Sequence, residues 1–225
     1  MTPTRGDGRP GVCFVTDGRA ATGRGLVEVA AAAARGGADR VQVREKALDG
    51  GALLRLVTEV MAALRGITGS RSIVLVNDRL DVALAAKAAG VHLPAAGLPP
   101  GEVRRHAGKK FLIGRSVHSL AEAKEAVKAG ADHLIAGPVF ATPGKAAYGE
   151  PLGVATLEKI VRAARVPVWA IGGITPESAR ALAGLPIAGV AVIRAISEAP
   201  DPAAAVRALR EALGAPAGAE GRIGS

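Results

Sequence analysis

Val168-Trp169-Ala170-Ile171 is a short apolar run, and Gly172-Gly173-Ile174-Thr175-Pro176-Glu177 follows it directly. The glycines end the run, Thr175 is suited to cap a helix, and Pro176 is suited to its first turn. The same order recurs along the chain: an apolar run ends in glycine or polar residues, and a helical segment follows. It occurs eight times, with the apolar runs at 12–15, 40–43, 73–76, 90–93, 111–114, 133–136, 168–171 and 189–192.

This alternation predicts parallel strands joined by helical crossovers. Eight units within 225 residues match the number and size of a single closed (β/α)8 TIM barrel, an α/β fold whose active site lies at the C-terminal ends of its strands. We predict the barrel over residues 11–213, a flexible N-terminus over 1–10 and a disordered tail over 214–225. Polar residues after successive strands are then gathered on one face, which indicates an enzyme.

Composition narrows the class of protein. Aromatic residues make up only 2% of the chain, so the core is built from small aliphatic side chains, and nucleic-acid bases would find few stacking partners. The net charge of +9 comes from scattered Lys and Arg residues, and we expect no nucleic-acid partner.

No apolar stretch reaches the roughly 18 residues of a membrane span, and no signal peptide is recognisable, so we expect no membrane partner. The single cysteine, Cys13, favours a buried thiol in a cytoplasmic protein. The sequence leaves open whether the protein forms a homo-oligomer.

The turn after the seventh run predicts a phosphate site. Gly172 and Gly173 let the backbone approach a ligand closely, and free amides at a helix start favour an anion. Phosphate sites of barrels often use the loops after strands seven and eight, and the eighth run leads into Ile193 and Arg194. The alternative is a tight turn that binds nothing.

The second run continues into a row of polar residues. In a strand, Gln42, Arg44 and Lys46 would point to one side, because side chains alternate with a period of two. One amide and two cations suit a diphosphate. The alternative is a solvated charge pair between Glu45 and its neighbours.

Asn77 and Asp78 end the third run. A carboxylate at this place can hold Mg²⁺, which commonly takes one or two carboxylates together with substrate phosphates. Alternatively, Asp78 pairs with Arg79 or caps the next helix. The loop after the fourth run offers no second carboxylate and carries Gly97 instead.

His118 follows the fifth run. Ser119 and Glu122 have the spacing of a capping box, which places His118 just before a helix N-terminus. The positive end of a helix favours neutral imidazole, which can act as a base near pH 7. The alternative is a hydrogen-bonded structural histidine. The other histidines, which we predict to be structural or at the surface, are His92, His106 and His133.

The connection over residues 137–153 is long and shows neither a helical nor a strand pattern. Such loops in compact domains are usually functional or disordered. Because it follows the sixth strand on the catalytic face, we predict a lid that carries Thr142 and Lys145.

Together these segments resemble the thiamine phosphate synthase/TenI superfamily. The resemblance spans most of the chain, and the order of the motifs carries it. The motifs are Val41-Gln42-Val43-Arg44-Glu45-Lys46, Val76-Asn77-Asp78-Arg79, Gly137-Pro138-Val139-Phe140 and Ala170-Ile171-Gly172-Gly173-Ile174-Thr175.

The resemblance implies a single barrel. It also implies, for the synthases, a Mg²⁺-dependent coupling of hydroxymethylpyrimidine diphosphate with thiazole phosphate that releases pyrophosphate. It would assign the metal to Asp78 and the thiazole phosphate to Thr142 and Gly173. The residues that would contact the pyrimidine diphosphate are Gln42, Arg44, Lys46, Asn77, Ser116 and Lys145.

Several positions depart from the synthase pattern. Gly97 stands where a synthase usually has a second metal-binding aspartate, Gly144 replaces a threonine and Arg194 replaces a serine. Residues 93–96 and 114–119 look more like the TenI branch, whose thiazole tautomerase needs no metal; His118 would be its general acid/base. Our expectation leans slightly to the tautomerase. The synthase, with Mg²⁺, is the close alternative, and a non-catalytic sensor of phosphate ligands is a third.

Overall fold

The computed structural model of the chain describes residues 9–17, 25–141 and 150–214. Within these ranges, eight parallel strands form a closed barrel in chain order, and β1 pairs with both β2 and β8. This confirms the predicted TIM barrel. The strands are β1 Gly11–Val15, β2 Arg40–Val43, β3 Ile73–Asn77, β4 Gly90–Leu93, β5 Leu112–Val117, β6 His133–Ala136, β7 Val168–Ile171 and β8 Gly189–Val192.

A helix follows each strand and lies on the outside of the barrel. The last helix packs against α1 and α7, and so completes the outer ring. The helices are α1 Leu26–Arg35, α2 Gly50–Arg65, α3 Leu80–Ala85, α4 Pro100–Ala107, α5 Leu120–Lys128, α6 Gly153–Ala163, α7 Pro176–Ala179, α8 Arg194–Ser197 and α9 Pro202–Gly214, with a 3₁₀ turn at Arg180–Leu182.

Two apolar clusters hold these layers together. The larger one joins the outward-facing strand residues to the helices and is almost entirely aliphatic. The smaller one lies inside the barrel and consists of Cys13, Val15, Ile135, Trp169 and Ala191. Cys13 is buried, as predicted, and this burial raises the pKa of its thiol to about 12. The thiol is therefore unreactive near neutral pH.

Two strands run further at their C-terminal ends than their apolar patterns. β3 includes Asn77, and β5 continues to Val117, so Asn77 and Ser116 are strand residues whose side chains belong to the barrel interior. The residues that the structure describes contain no helix long and apolar enough to cross a membrane. Residues 1–8 of the predicted flexible N-terminus, 1–10, and residues 215–225 of the predicted tail, 214–225, lie outside the described ranges. Gly214, the first residue of that predicted tail, belongs to α9.

Candidate active site

At the C-terminal end of the barrel, the amides of two neighbouring strands meet. The Nε2 atom of Gln42 donates to the Oδ1 atom of Asn77 over 3.2 Å. β2 ends at Val43, so the predicted strand alternation does not extend to Arg44 and Lys46. Gln42 is buried, Arg44 is partly buried and Lys46 is exposed. The row therefore runs outward from the barrel interior to the rim.

The backbone next to Arg44 is fixed by Thr16, which is fully buried. The Thr16 hydroxyl donates to Glu45 Oε1 over 2.5 Å and accepts from the Arg44 amide over 2.9 Å. The guanidinium of Arg44 forms no ion pair with any residue that the structure describes. Arg44 thus presents a cation at the rim that the described part of the chain does not neutralise.

Asp78 directly follows β3 and has a left-handed backbone, with φ of 65°. Its carboxylate is exposed and accepts no hydrogen bond within the described ranges. Arg79, its expected alternative partner, instead donates to both oxygens of Asp81 over 2.9 and 2.5 Å. Left-handed backbone at a residue other than glycine is costly and concentrates at functional sites.

The donor set at this edge limits how Mg²⁺ could be held. Across the described residues, no group of three or more His, Cys, Asp or Glu side chains is arranged to hold a metal. Asp78 supplies one carboxylate, and the loop after β4 carries Gly97 in place of a second. One carboxylate together with diphosphate oxygens is a common Mg²⁺ environment. The site therefore fits a metal that arrives with a diphosphate.

The loop after β4 is held by Arg115 of β5. Its Nη1 atom donates to the carbonyls of Gly97 and Leu98 over 3.1 and 2.7 Å, and Nη2 donates to the carbonyl of Ala95 over 2.6 Å. The Gly97 amide closes the same loop by donating to the Pro94 carbonyl over 2.8 Å. Arg115 therefore fixes the backbone at the place where the synthase pattern has a second metal-binding aspartate and this chain has Gly97.

Replacing this clamp should loosen the loop locally. In Arg115→Met, the three carbonyls lose their donor, and we expect amide hydrogen exchange at Gly97 to accelerate at least about tenfold, since each lost hydrogen bond is worth about 1 kcal/mol and about 1.4 kcal/mol already corresponds to tenfold. Exchange at buried β-strand amides should not change. Arg162→Met, which removes an exposed pair with Glu158, is the control. Unchanged protection of Gly97 would mean that Arg115 does not hold the loop.

His118 lies at the start of α5 and is half-exposed, with 45% of its side chain accessible. Ser119 caps the helix by accepting from the Glu122 amide over 3.1 Å. The Glu122 carboxylate accepts from the His118 amide over 2.8 Å and lies 3.1 Å from His118 Nδ1. A carboxylate therefore faces the imidazole, which the capping-box spacing alone does not show.

The predicted phosphate turn adopts the backbone it needs. Gly172 and Gly173 have φ of 99° and 65°, and their amides donate to no acceptor among the described residues. Thr175 caps α7 in a reciprocal box with Ser178, which confirms the predicted helix start. A Cβ atom at Gly173 would lie 2.7 Å from the Phe140 Cβ. Packing against the loop after β6 thus requires glycine here whether or not a phosphate binds.

The rest of the predicted phosphate site follows β8. Ile193 precedes the short helix α8, its carbonyl accepts from the amides of Ile196 and Ser197 over 3.1 and 3.0 Å, and Arg194 is exposed. Thr142 and Lys145 lie in residues 142–149 of the predicted lid, which are outside the described residues.

Residues 12–196 match the model of the family described as thiamine monophosphate synthase. The chain belongs to this family. A thiamine-phosphate synthase of Methanoculleus marisnigri is 45% identical over 209 residues, which cover 92% of the chain and 97% of the relative. A thiamine-phosphate synthase of Roseiflexus castenholzii is 42% identical over 202 residues, which cover 90% of the chain and 87% of the relative. The solved structure of thiamine phosphate pyrophosphorylase from Pyrococcus furiosus superposes on this chain with a TM-score of 0.81. The two sequences are 35% identical, and the superposition covers 90% of this chain and 95% of the solved chain.

Membership of the thiamine monophosphate synthase family confirms the predicted superfamily and the prediction of an enzyme. The slight preference for the tautomerase is not supported, because these curated relatives carry the synthase name. That preference depended on one exposed histidine and one missing carboxylate, and neither excludes a coupling reaction in which the diphosphate carries the metal.

In this member of the thiamine monophosphate synthase family, His92 makes a contact that its sequence pattern does not predict. It is 2% exposed, and its Nε2 atom lies 2.8 Å from Ser116 Oγ. The available signal was the alternation along β4, which places Gly90 and His92 on the inner face. The contact itself depends on pairing between two strands, which the pattern of one strand does not show.

Proposed function

We propose that the protein is a thiamine-phosphate synthase that couples hydroxymethylpyrimidine diphosphate to thiazole phosphate and releases pyrophosphate. The observation that carries this proposal is the identity of 42–45% to curated thiamine-phosphate synthases over about nine-tenths of the chain. A cytoplasmic location is part of the same proposal, since a lone buried Cys13 suits a reducing compartment.

The proposed reaction needs charge stabilisation more than it needs a nucleophile. A diphosphate leaves as positive charge develops on the pyrimidine carbon, and the thiazole nitrogen attacks without a covalent enzyme intermediate. Fixed cations near the departing diphosphate therefore lower the barrier. Arg44, whose guanidinium is unpaired within the described ranges, and Lys46 at the exposed rim are suited to this role, and Lys145 is assigned to it by resemblance alone.

The pyrimidine side of the substrate would contact the polar interior of the barrel. Gln42 and Asn77 hold each other through one hydrogen bond, and Ser116 lies on β5. Asp78 would hold Mg²⁺ together with diphosphate oxygens, and when bound this ion neutralises the leaving group. An exposed carboxylate that accepts no hydrogen bond within the described ranges is consistent with that role.

The thiazole phosphate would bind at the other side of the mouth. The amides of Gly172 and Gly173, which have no acceptor within the described ranges, favour the binding of an anion. Ile193 and Arg194 follow the neighbouring strand β8. Arg194 adds a cation at the position where the resemblance implies serine. Thr142 completes this proposed set.

One assay separates the synthase from the tautomerase. We expect Mg²⁺-dependent formation of thiamine phosphate, and His118→Ala should change kcat/KM by less than about threefold, since coupling requires no acid/base step from an imidazole. His106→Ala, on the exposed face of α4, is the matched control. The carboxylated thiazole phosphate isomer is tested in parallel. Metal-independent aromatisation that His118→Ala abolishes, without any coupling, would overturn the proposal.

A further inference from the structure

Inside the barrel, below its C-terminal mouth, a hydrogen bond joins two side chains, and its direction decides whether Ser116 can donate to a ligand. His92 of β4 and Ser116 of β5 are joined by a contact of 2.8 Å between Nε2 and Oγ. The register pairs His92 with Gly114, so Ser116, two residues further on, faces the same interior one step closer to the mouth. Either group can be the donor, and the two arrangements leave Ser116 with opposite hydrogen-bonding capacity toward a ligand.

The other nitrogen of His92 faces a second histidine. A Cβ atom at Gly114 would lie 2.5 Å from His92 Nδ1 and 2.3 Å from His133 Nε2, so the two nitrogens lie close to the same point. Neither nitrogen has a hydrogen-bond partner among the described residues, and His133 Nδ1 has none there either. Glycine at position 114 is what leaves room for both rings.

A buried cation shares this interior. Arg40 is 3% exposed, and its guanidinium carbon lies 4.3 Å from the centre of the Trp169 ring. Burial and the charge of Arg40 lower the pKa of His92 to about 3, and the pKa of His133 is also lowered well below its ordinary value. Both imidazoles are therefore neutral near pH 7, and each carries one proton.

The surroundings decide which nitrogen of His92 carries that proton. A proton on Nδ1 would be a buried donor with no acceptor among the described residues, in an interior that already holds the Arg40 cation. Orphaned buried N–H groups are rarer in proteins than acceptors with a free lone pair. A lone pair at Nδ1 is also favoured electrostatically near a cation. The proton then resides on Nε2, and the imidazole donates to Ser116 Oγ.

We propose that His92 is a positioning residue that donates from Nε2 to Ser116, so that the Ser116 hydroxyl proton is directed to an acceptor atom of the bound pyrimidine diphosphate. Ser116 thus acts as a donor and selects a substrate with an acceptor at that place. The identity of this substrate rests on the proposed function. The direction of the His92–Ser116 hydrogen bond does not depend on the proposed function.

The direction can be measured without any activity. In ¹⁵N-labelled full-length protein at pH 7, long-range ¹H–¹⁵N spectra distinguish protonated from unprotonated ring nitrogens, and His92→Gln assigns the signals. We expect His92 to show a protonated Nε2 and an unprotonated Nδ1. A protonated Nδ1, or a doubly protonated ring, would overturn the inference even if the enzyme is an active synthase.

The consequence for the substrate is tested by a double-mutant cycle. His92→Leu removes the donor and should lower kcat/KM for coupling about tenfold, whereas His92→Gln, which keeps an N–H near the same place, should stay within about threefold of wild type. In a Ser116→Ala background, His92→Leu should change kcat/KM by less than about twofold, because its effect passes through Ser116.

His133→Leu is the control, because it removes an equally buried imidazole that does not contact Ser116; its effect should be the same in both backgrounds. An equal loss from His92→Leu with and without Ser116 would show that His92 acts only on the fold. If no coupling occurs at all, the proposed function fails, and the spectra still decide the hydrogen-bond direction.

Discussion

Asp78→Asn is expected to lower kcat/KM for thiamine phosphate formation about a thousandfold while leaving the melting temperature within about 1 °C of wild type. The loss corresponds to about 4 kcal/mol of transition-state stabilisation, which is the scale of one metal-linked or preorganised electrostatic contact. Asp78 carries this effect because no clustered carboxylates share the metal within the described ranges. Asparagine tolerates the left-handed backbone at this position, where φ is 65°.

Asp81→Asn is the matched control for this substitution. Asp81 is a nearby exposed carboxylate, but it accepts both hydrogen bonds of Arg79, so we expect little change in coupling. A second readout does not depend on turnover: calorimetric binding of pyrophosphate in the presence of Mg²⁺ should weaken in Asp78→Asn and remain normal in Asp81→Asn. Normal coupling together with normal Mg²⁺-pyrophosphate binding in Asp78→Asn would exclude Asp78 as the metal ligand.

The barrel was predictable because its strands are buried on both faces and read as continuous apolar runs between turn signals. Five of them, among them β2 and β7, have the predicted limits. β3 and β5 extend further because Asn77 and Ser116 are polar residues that point into the barrel. A polar residue at a barrel mouth ends an apolar pattern even though the backbone continues as a strand.

The site was predictable as a set of positions but not as a set of contacts. Alternation along one strand places His92 inside the barrel, whereas its partner Ser116 is fixed by the register between β4 and β5. The same holds for Arg115, whose acceptors are three backbone carbonyls of another loop. The buried position of Arg40 on the Trp169 ring is likewise a contact between two strands, which the pattern of one strand does not show.

Acidification should destabilise the fold well before its carboxylates are protonated. Burial lowers the pKa of His92 to about 3 and also lowers that of His133 well below its ordinary value, while both titrate near 6.5 in the unfolded chain. The native state therefore binds fewer protons than the unfolded state below about pH 6.5. Each histidine then removes on the order of 1 kcal/mol of unfolding free energy per pH unit, so the pair removes roughly 2 to 3 kcal/mol per unit.

The sign follows from the lowered folded pKa values: the stability is complete above about pH 6.5 and is lost as the pH falls toward about 3. The pKa is lowered from an already acidic value at three carboxyl groups, those of Asp49, Asp81 and Glu177. They therefore affect stability at lower pH, and between pH 6 and 5 the expected change in stability comes from the buried histidines. A fall of roughly 2 to 3 kcal/mol within one pH unit is a large part of the roughly 5–15 kcal/mol that typically stabilises a domain.

Urea unfolding at constant ionic strength, repeated from pH 7.5 to 5, measures this slope. His133→Gln should reduce it to about half, whatever its effect on stability at pH 7.5, because one of the two buried titrating rings is gone. His106→Gln removes an exposed ring and should leave the slope unchanged. If His133→Gln keeps the wild-type slope, then His133 is protonated in the native state within this range, and the interior around Arg40 does not hold it neutral.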